Sequence, residues 1–586
     1  MTTSAATSTA SHVLFVFGGQ ACVPSDPLAA AKRLGFEVSV LAERQPCGLP
    51  PELADRVVLT PFAVMESVVA RARELHAERP LHAVLGYDDQ AVPIVARIAA
   101  ACGLTGNPTD AADAARDKPM MKERFRAAGV PIADYHLASG EADALAWAER
   151  IGYPVVVKPT RGSASQGVIR ANSPGELREA YRRVCRIVRE YGLDTDGRSA
   201  SAQLVERYVH GAEYSVELFI RAGRVQPLCV FEKPDPLFGP FFEETVYVTP
   251  PRLDAGRIAE LEKLAVRAAQ AVGLQTGLAH CEIRIGDQGP VVLELAGRLI
   301  GGACSRVFRA LLPIDVHELI LRLAAGEDIA RPRVLSRAAG ALMLPIPAEG
   351  RMIALDGAEA ARAVPGIQDV IINSSKGDVI LPFPEQSCYI GFITAAGDTF
   401  EDVQRALAEA SDCMELEMEP LECERLVRAL SDESERSIPA GVRTLGGLSV
   451  EDARAQLLPL VAAAYHPELP PDDAREQALA CVRCVEEGKE GDSNPGLWLI
   501  HEGGGFLLAS RTGQTGHLLR VGVIPDARGK NIAVALMRAA FVVLAEAGCT
   551  EADTLVDPRL PAPGRLARKL GFAPSTEACQ TSCCEC

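Results

Sequence analysis

From His12 onward, apolar residues come in short unbroken runs separated by stretches with helical spacing. HVLFVF (His12–Phe17) reads as a buried strand, followed by a helix around Pro27–Leu34 and a second strand at Glu37–Leu41. Strand Val57–Leu59, helix Val64–Glu78, strand Ala83–Gly86 and helix Val92–Cys102 continue the alternation. This β-α-β rhythm predicts a parallel sheet with flanking helices. The turn after the first strand, FGGQACVPSD, lacks G-x-G-x-x-G spacing, so the unit reads as a plain α/β scaffold and not a dinucleotide site.

At Lys118 the pattern changes. A helix over Pro119–Ala128 ends at Gly129, a residue suited to a helix C-terminus, and helix Ala144–Ile151 leads into strand Pro154–Lys158. Antiparallel strands are predicted at Gln203–Tyr208, Glu213–Ile220 and Val225–Phe231, then a long helix at Ala255–Val272. Strands His280–Ile285 and Pro290–Glu294 are joined by the turn Gly286–Gly289. Ile329–Met418 reads as a smaller α+β lobe, the charged stretch that follows as a linker, and Leu445 onward as a new helix–strand–helix unit. The expected division is 1–110, 111–328, 329–420, a linker at 421–444, 445–575, and a Cys-rich tail at 576–586. A chain of 586 residues suits several cores, since a domain usually holds about 100–200 residues.

Composition narrows the function. A formal net charge of -17 argues against a nucleic-acid partner, which needs clustered Lys and Arg. The first residues lack a basic n-region, and the apolar run Val13–Phe17 is short for a signal core. No apolar stretch approaches the ~20 residues of a membrane helix. The expectation is a cytoplasmic enzyme without a membrane partner. The 17 cysteines are scattered and not spaced as a disulfide framework, so most are expected reduced and buried. Cys579, Cys583, Cys584 and Cys586 stand apart: they suit a soft metal or metalloid, redox chemistry, or a disordered tail with exposed thiols.

Chemistry enters with an ordered set of residues. Lys118 opens a helix in RDKPMMKERF, and Lys158 closes an apolar strand in YPVVVKPTRGSASQGV. Gly162, Ser163, Ser165 and Gly167 make the following loop able to fold its backbone over phosphates. Glu206, Tyr208 and Val209, then Glu213, have the arrangement of a hinge that offers backbone to an adenine and a carboxylate to ribose hydroxyls. Glu282 and Glu294 lie on adjacent apolar strands, where a carboxylate is costly unless paired or metal-bound, and matching positions suit shared Mg²⁺. Singly, each has a plainer reading as a solvated helix residue, an ordinary loop or a salt-bridged strand residue. In this order and spacing they point to ATP chemistry by positioning and electrostatics.

The set resembles the ATP-grasp superfamily over most of residues 1–420. The resemblance implies a pre-ATP-grasp domain before the catalytic domains, ATP with two Mg²⁺ as cofactors, Lys118 and Lys158 at the phosphates, and Glu282 and Glu294 as metal ligands. Many ATP-grasp enzymes carry an Asn two residues after the last Glu, where this chain has Ala296. The run Glu294-Leu-Ala-Gly-Arg298 followed by Gly301 and Gly302, with TGLAHCE before it, is similar to the L-amino acid ligase branch. That branch implies that Arg298 stabilises the acyl phosphate, that Lys158 assists, and that His280, Gly301 and Gly302 line the amino-acid site. His280 also reads as a satisfied strand histidine.

Farther on, GHLLRVGVIPDARGKNIAVALMRAA resembles the GNAT acyltransferases, over about Leu445–Ser575. It implies an acetyl-CoA site at Val523, Arg528, Gly529, Lys530, Asn531 and Ala533, at the N-terminus of a helix. Asn531 stands where Gly is usual, and Arg568 where a Tyr often serves as acid. The expected whole is a multidomain α/β and α+β protein: an ATP-dependent carboxylate–amine ligase fused to an N-acyltransferase. Its partners would be small-molecule carboxylate and amine substrates, with a homodimer as the assembly. Two rivals are a carboxylase-type ATP-grasp enzyme and a metal-responsive protein built from decayed enzyme domains.

Overall fold

In the computed structural model, every residue of His12–Phe17 is buried. The strand runs parallel to Glu37–Ala42 on one side and Ala83–Gly86 on the other, with Arg56–Leu59 outermost. Complete burial follows from cover on both faces. Helices Met65–Glu78 and Ala91–Cys102 pack through Val68, Ala72, Leu75, Ile94 and Ile98, and helix Ser25–Arg33 packs through Leu28 and Ala31. The structure describes residues 11–18, 25–46, 49–62, 64–193, 202–387, 389–421, 424–430, 438–445, 450–465, 478, 498–512, 514–528, 530–547, 549–556, 561–570 and 572–574. The tail cysteines Cys579, Cys583, Cys584 and Cys586, and Gly529, lie outside them.

A small antiparallel sheet comes next, in the order Tyr135–Ala138, Gln203–Arg207, Val155–Lys158, Ile169–Ala171. Helices Glu141–Ile151 and Pro174–Glu190 cover it through Trp147, Leu177, Tyr181 and Val184. Ser173 caps the second helix by accepting from the Glu176 amide, and Glu176 reaches back to the Asn172 amide, two orphan donors satisfied at one helix start.

The largest sheet has eight strands, in the order Gly289–Ala296, Gly277–Gly286, Ala212–Arg221, Arg224–Lys233, Val246–Thr249, Ala338–Met343, Gly391–Gly397 and Ile367–Ile372. Eight consecutive residues of Ala212–Arg221 are buried, because helix Ala255–Val272 covers one face and helices Cys304–Leu311 and Val316–Ala324 the other. Residues 329–420, expected as a smaller α+β lobe, contribute three strands to this sheet. Val246–Thr249 pairs directly with Ala338–Met343, so the same sheet carries across.

The C-terminal unit is a seven-stranded sheet, in the order Val442–Thr444, Trp498–His501, Gly505–Thr512, Thr515–Val523, Glu551–Val556, Glu424–Ala429, Ala573–Pro574. Two of these strands correct the expectation of a linker at 421–444. Glu424–Ala429 lies between Glu551–Val556 and Ala573–Pro574, antiparallel to both, and Val442–Thr444 pairs with Trp498–His501. Their many charges suggested exposure, yet alternating ERLVRA is compatible with a half-buried strand. No helix among the described residues is long and apolar enough to cross a membrane.

A fragment beginning at Leu445 would leave Glu551–Val556 and Ala573–Pro574 without their shared partner. It is expected to unfold at lower urea than a fragment beginning at Leu421, followed by circular dichroism; equal midpoints would show that the strand contributes nothing.

Candidate active site

Asp117 caps helix Lys118–Ala127 by accepting from the Met120 amide, and Pro119 sits in the first turn. The cap fixes Lys118 at the first helical position, where its amide donates to the Thr160 carbonyl at 3.0 Å. Its ammonium lies 2.9 Å from Glu294 Oε1 and donates to the Gly162 carbonyl at 2.9 Å. Four residues on, on the same helix face, Lys122 is only 1% exposed. Its Nζ is 3.2 Å from Glu206, and Lys158 Nζ is 2.9 Å from the same carboxylate. Glu206 is opposite Val156 in the sheet, so Lys158, two residues further along that strand, shares its face. Two ammonium groups and one carboxylate thus occupy a site closed to water. Burial alone would raise the Glu206 pKa, but Lys122 and Lys158 bring it below the ordinary carboxylate value. Burial lowers the Lys122 pKa to about 8, with Glu206 opposing and Lys158 adding to the shift.

The loop between Lys158 and the next strand carries Gly162, Ser163, Ser165 and Gly167. Ala164 and Ser165 have φ of 49° and 53°, and Gly167 has φ of 70°. A Cβ at Gly167 would stand 2.9 Å from Pro159 Cγ, so glycine is required there twice over.

On the large sheet, Glu282 and Glu294 are direct cross-strand partners, and a register shift follows immediately. Glu213 pairs across with Arg284 on one side and Lys233 on the other. Lys233 Nζ lies 2.5 Å from Glu213, 2.6 Å from Glu244 and 2.8 Å from Glu282, while Arg284 Nε donates to Glu213 at 2.7 Å. Glu213, expected alone at a ribose, is therefore part of a carboxylate cluster, because its strand is the neighbour of both others. Burial opposes ionisation of Glu282, yet Lys233 and His280 hold its carboxyl well below the ordinary range. Oxygens of Glu213, Glu244 and Glu282 lie within 4.8 Å of one another, an all-oxygen donor set that fits a hard divalent cation.

His280 is not an isolated strand histidine. Nδ1 is 2.5 Å from Glu217, which also accepts from the Ile300 amide at 3.1 Å, and Nε2 is 3.5 Å from Glu282. Burial works against its charge, but Glu217 outweighs this and the pKa rises to about 10. Arg298 pairs at 2.5 Å with Asp89, in the turn between strand Ala83–Gly86 and helix Ala91–Cys102, and donates to the Leu299 carbonyl at 2.9 Å. Beside it, Asp88 accepts from the amides of Gly18 and Ala91 at 2.9 and 2.7 Å. Gly301 and Gly302 are exposed; Gly302 has φ of 63°, and a Cβ there would come 2.8 Å from Phe392.

At the hinge, Tyr208 donates its amide to the Pro154 carbonyl at 3.1 Å, and its ring lies under the Arg170 guanidinium at 4.4 Å. The Val209 carbonyl accepts from Arg284 at 3.0 Å. The sequence reading missed Lys122, Glu217, Lys233, Glu244 and Asp89. A signal existed for Lys122, spaced four residues after Lys118, and for Lys233, just beyond the assigned strand end.

In the C-terminal sheet, Val523 ends strand Thr515–Val523 and its carbonyl accepts from Arg528 Nε at 3.3 Å. Lys530 is exposed, and Asn531 stands at φ 58° before helix Ile532–Glu546, which contains Ala533. Asn tolerates this left-handed geometry, so the departure from Gly leaves the turn intact. No side chain caps this helix, leaving its first amides open to an anion.

Comparison with known proteins matches the ATP-grasp N-terminal domain at residues 28–106, the ATP-grasp domain at 151–307, the L-amino acid ligase C-terminal domain 2 at 342–419, and the acetyltransferase (GNAT) family at 460–572. An alanine–anticapsin ligase of Bacillus subtilis is 27% identical over 41% of the chain; the match spans 53% of that relative, about half its length. A D-alanine–D-alanine ligase of Synechococcus sp. is 30% identical over 40% of the chain and 70% of its own length. The crystal structure of an L-amino acid ligase from Bacillus licheniformis superposes with a TM-score of 0.59 at 26% identity, covering 70% of the chain and 99% of that protein.

Lys122 gives a pH test. Its folded-state pKa of about 8 lies below the ordinary 10.5, so the unfolded chain holds the proton more tightly. Its contribution to stability is full above the ordinary value and is lost as pH falls through the folded value. Relative to Lys122→Met, the wild type should gain urea resistance between pH 7.5 and 9.5, and parallel pH curves would refute the assignment.

Proposed function

We propose that this chain, which belongs to the ATP-grasp family and carries a GNAT-family domain, uses ATP to join a carboxylate to an amine through an acyl phosphate. The observation that carries the reading is the direct opposition of Glu282 and Glu294, with Lys118 on the second and Lys233 on the first. Mg²⁺ bound by Glu282 and Glu294 would neutralise charge on the triphosphate. Lys118 and Lys158 hold the transferring phosphoryl group, and loop residues Gly162, Ser163, Ser165 and Gly167 cover it. Tyr208 and Val209 would form the adenine hinge, and Glu213, one of the carboxylates around Lys233, would receive the ribose hydroxyls.

In the first step a substrate carboxylate oxygen attacks the γ-phosphorus in line, the bond to the β-phosphate oxygen breaks, and ADP leaves. In the second, an uncharged amine attacks the acyl carbon, loses its proton, and the tetrahedral intermediate expels phosphate to leave an amide. The planar fork of Arg298, braced on one side by Asp89, keeps N–H groups for the acyl phosphate oxygens. An amino acid is the favoured substrate class: the C-terminal match is to L-amino acid ligases, and the buried His280–Glu217 pair and exposed Gly301 and Gly302 border the same strand ends. For the GNAT-family domain we propose acetyl-CoA as donor, its pyrophosphate held by Arg528, Gly529, Lys530 and Asn531 with Ala533 of the following helix start, and its acyl arm beside Val523.

Phosphate release measured over pairs of amino acids with ATP and Mg²⁺ tests the ligase reading. Stimulated release by at least one pair is expected, and none in well-folded protein would reject it. Glu294→Ala is expected to lower ADP formation by at least about 10²-fold, the scale of losing one preorganised charge contact, with an unchanged circular dichroism spectrum. Calorimetry should detect acetyl-CoA binding that weakens in Arg528→Ala; no binding by the wild type would leave the C-terminal domain without its proposed donor.

A further inference from the structure

The loop Arg161–Gly167 is anchored at its far end by a part of the chain outside the small sheet. The Gly167 amide donates to the Pro384 carbonyl at 2.9 Å, and Gln166 Nε2 donates to the Glu385 carbonyl at 2.7 Å. Gln166 is 5% exposed, so this contact is shielded from water. The Glu385 carboxylate reaches the other way. It accepts from Arg183 through two hydrogen bonds of 2.7 Å and from Arg186 at 3.3 Å, both on helix Pro174–Glu190. Arg183 also lies 4.8 Å over the Phe241 ring. Two residues of the segment between the large-sheet strands thus grip both the loop and the helix behind it.

The loop needs such a grip. Ala164 and Ser165 both have left-handed φ, a conformation costly for residues with a Cβ and kept only where the surroundings enforce it. Its internal bonds, Gln166 amide to Ser163 carbonyl at 3.2 Å and Val168 amide to Ser165 carbonyl at 3.1 Å, are long ones. The shorter bonds run to other elements: Lys118 to the Gly162 carbonyl at the near end, and Gly167 and Gln166 to Pro384 and Glu385 at the far end.

We propose that Glu385, with the Pro384 carbonyl, is a positioning latch that holds the Arg161–Gly167 loop in its phosphate-covering conformation, so that the region matching the L-amino acid ligase C-terminal domain takes part in nucleotide binding. This rests on the ATP reading of the loop. It assigns the segment a role without direct contact to a reacting atom: the Glu385 carbonyl holds Gln166 of the loop, and its carboxylate is fixed in place by Arg183 and Arg186.

The test uses the full chain with two readouts. Hydrogen exchange, read by mass spectrometry, should be faster by about tenfold in peptides covering 161–168 in Glu385→Ala and in Gln166→Leu, the scale expected when charge-assisted or buried bonds are lost. Exchange in Gly277–Ala296 should not change, and Arg183→Gln should reproduce the effect if Glu385→Ala folds poorly. MgATP affinity by calorimetry should fall by about the same factor. Exchange and affinity equal to wild type would overturn the latch. If the wild type binds no MgATP, the nucleotide reading fails, and the exchange result alone decides whether the latch exists.

Discussion

An ionised group removed from water needs an opposite charge within reach, and the interior of this protein is arranged around that requirement. Glu206 sits between Lys122 and Lys158, Lys233 among Glu213, Glu244 and Glu282, His280 against Glu217, and Arg298 against Asp89. Removing one member of such a set leaves its partner stranded, which costs about 3–5 kcal/mol. The sets also lie on different elements. Each ion pair is therefore a tie between a helix start, a strand end or a loop, and the site keeps its shape because its charges cannot be separated cheaply.

The same requirement explains how the site would accept a polyanion and a divalent cation. Lysines already balanced by carboxylates do not have to be desolvated when a nucleotide arrives, since that cost was met on folding. Glu282, held ionised by Lys233 and His280, remains able to act as a ligand. Lys233 and His280 keep Glu282 charged despite burial, and Glu217 does the same for His280.

Much of the fold was legible in the chain. His12–Phe17, Ala83–Gly86 and Ala255–Val272 have the bounds that apolar patterning assigns. Parallel strands and long amphipathic helices announce themselves by period, and family motifs do so by order. What the pattern hid were elements whose chemistry looks like surface: Glu424–Ala429 is as charged as a linker, and its burial partners come from far along the chain. The site was legible only as separate marks. Lys118, Lys158, Glu282 and Glu294 were each visible, and their juxtaposition was inferred from strand adjacency. Lys233 was marked only by its place just beyond an apolar strand, because the three carboxylates around it come from three different strands or loops. Nothing local marks Asp89: its partner Arg298 lies just past the end of a strand in another sheet.

The threading of Glu424–Ala429 has a consequence for how the molecule is made. Leu426 pairs with Pro574, and Glu424 with Val556, so this strand waits for partners synthesised well over a hundred residues later. The contact order of that sheet is high, and its closure is intrinsically slow. Until those partners emerge, Glu424–Ala429 has an open edge, the kind of surface that pairs with other chains. The strands of the small antiparallel sheet and of the eight-stranded sheet all lie before residue 420. The ATP-grasp part is thus expected to mature first during translation, while the acetyltransferase-like part becomes a folded unit only once Ala573–Pro574 has emerged.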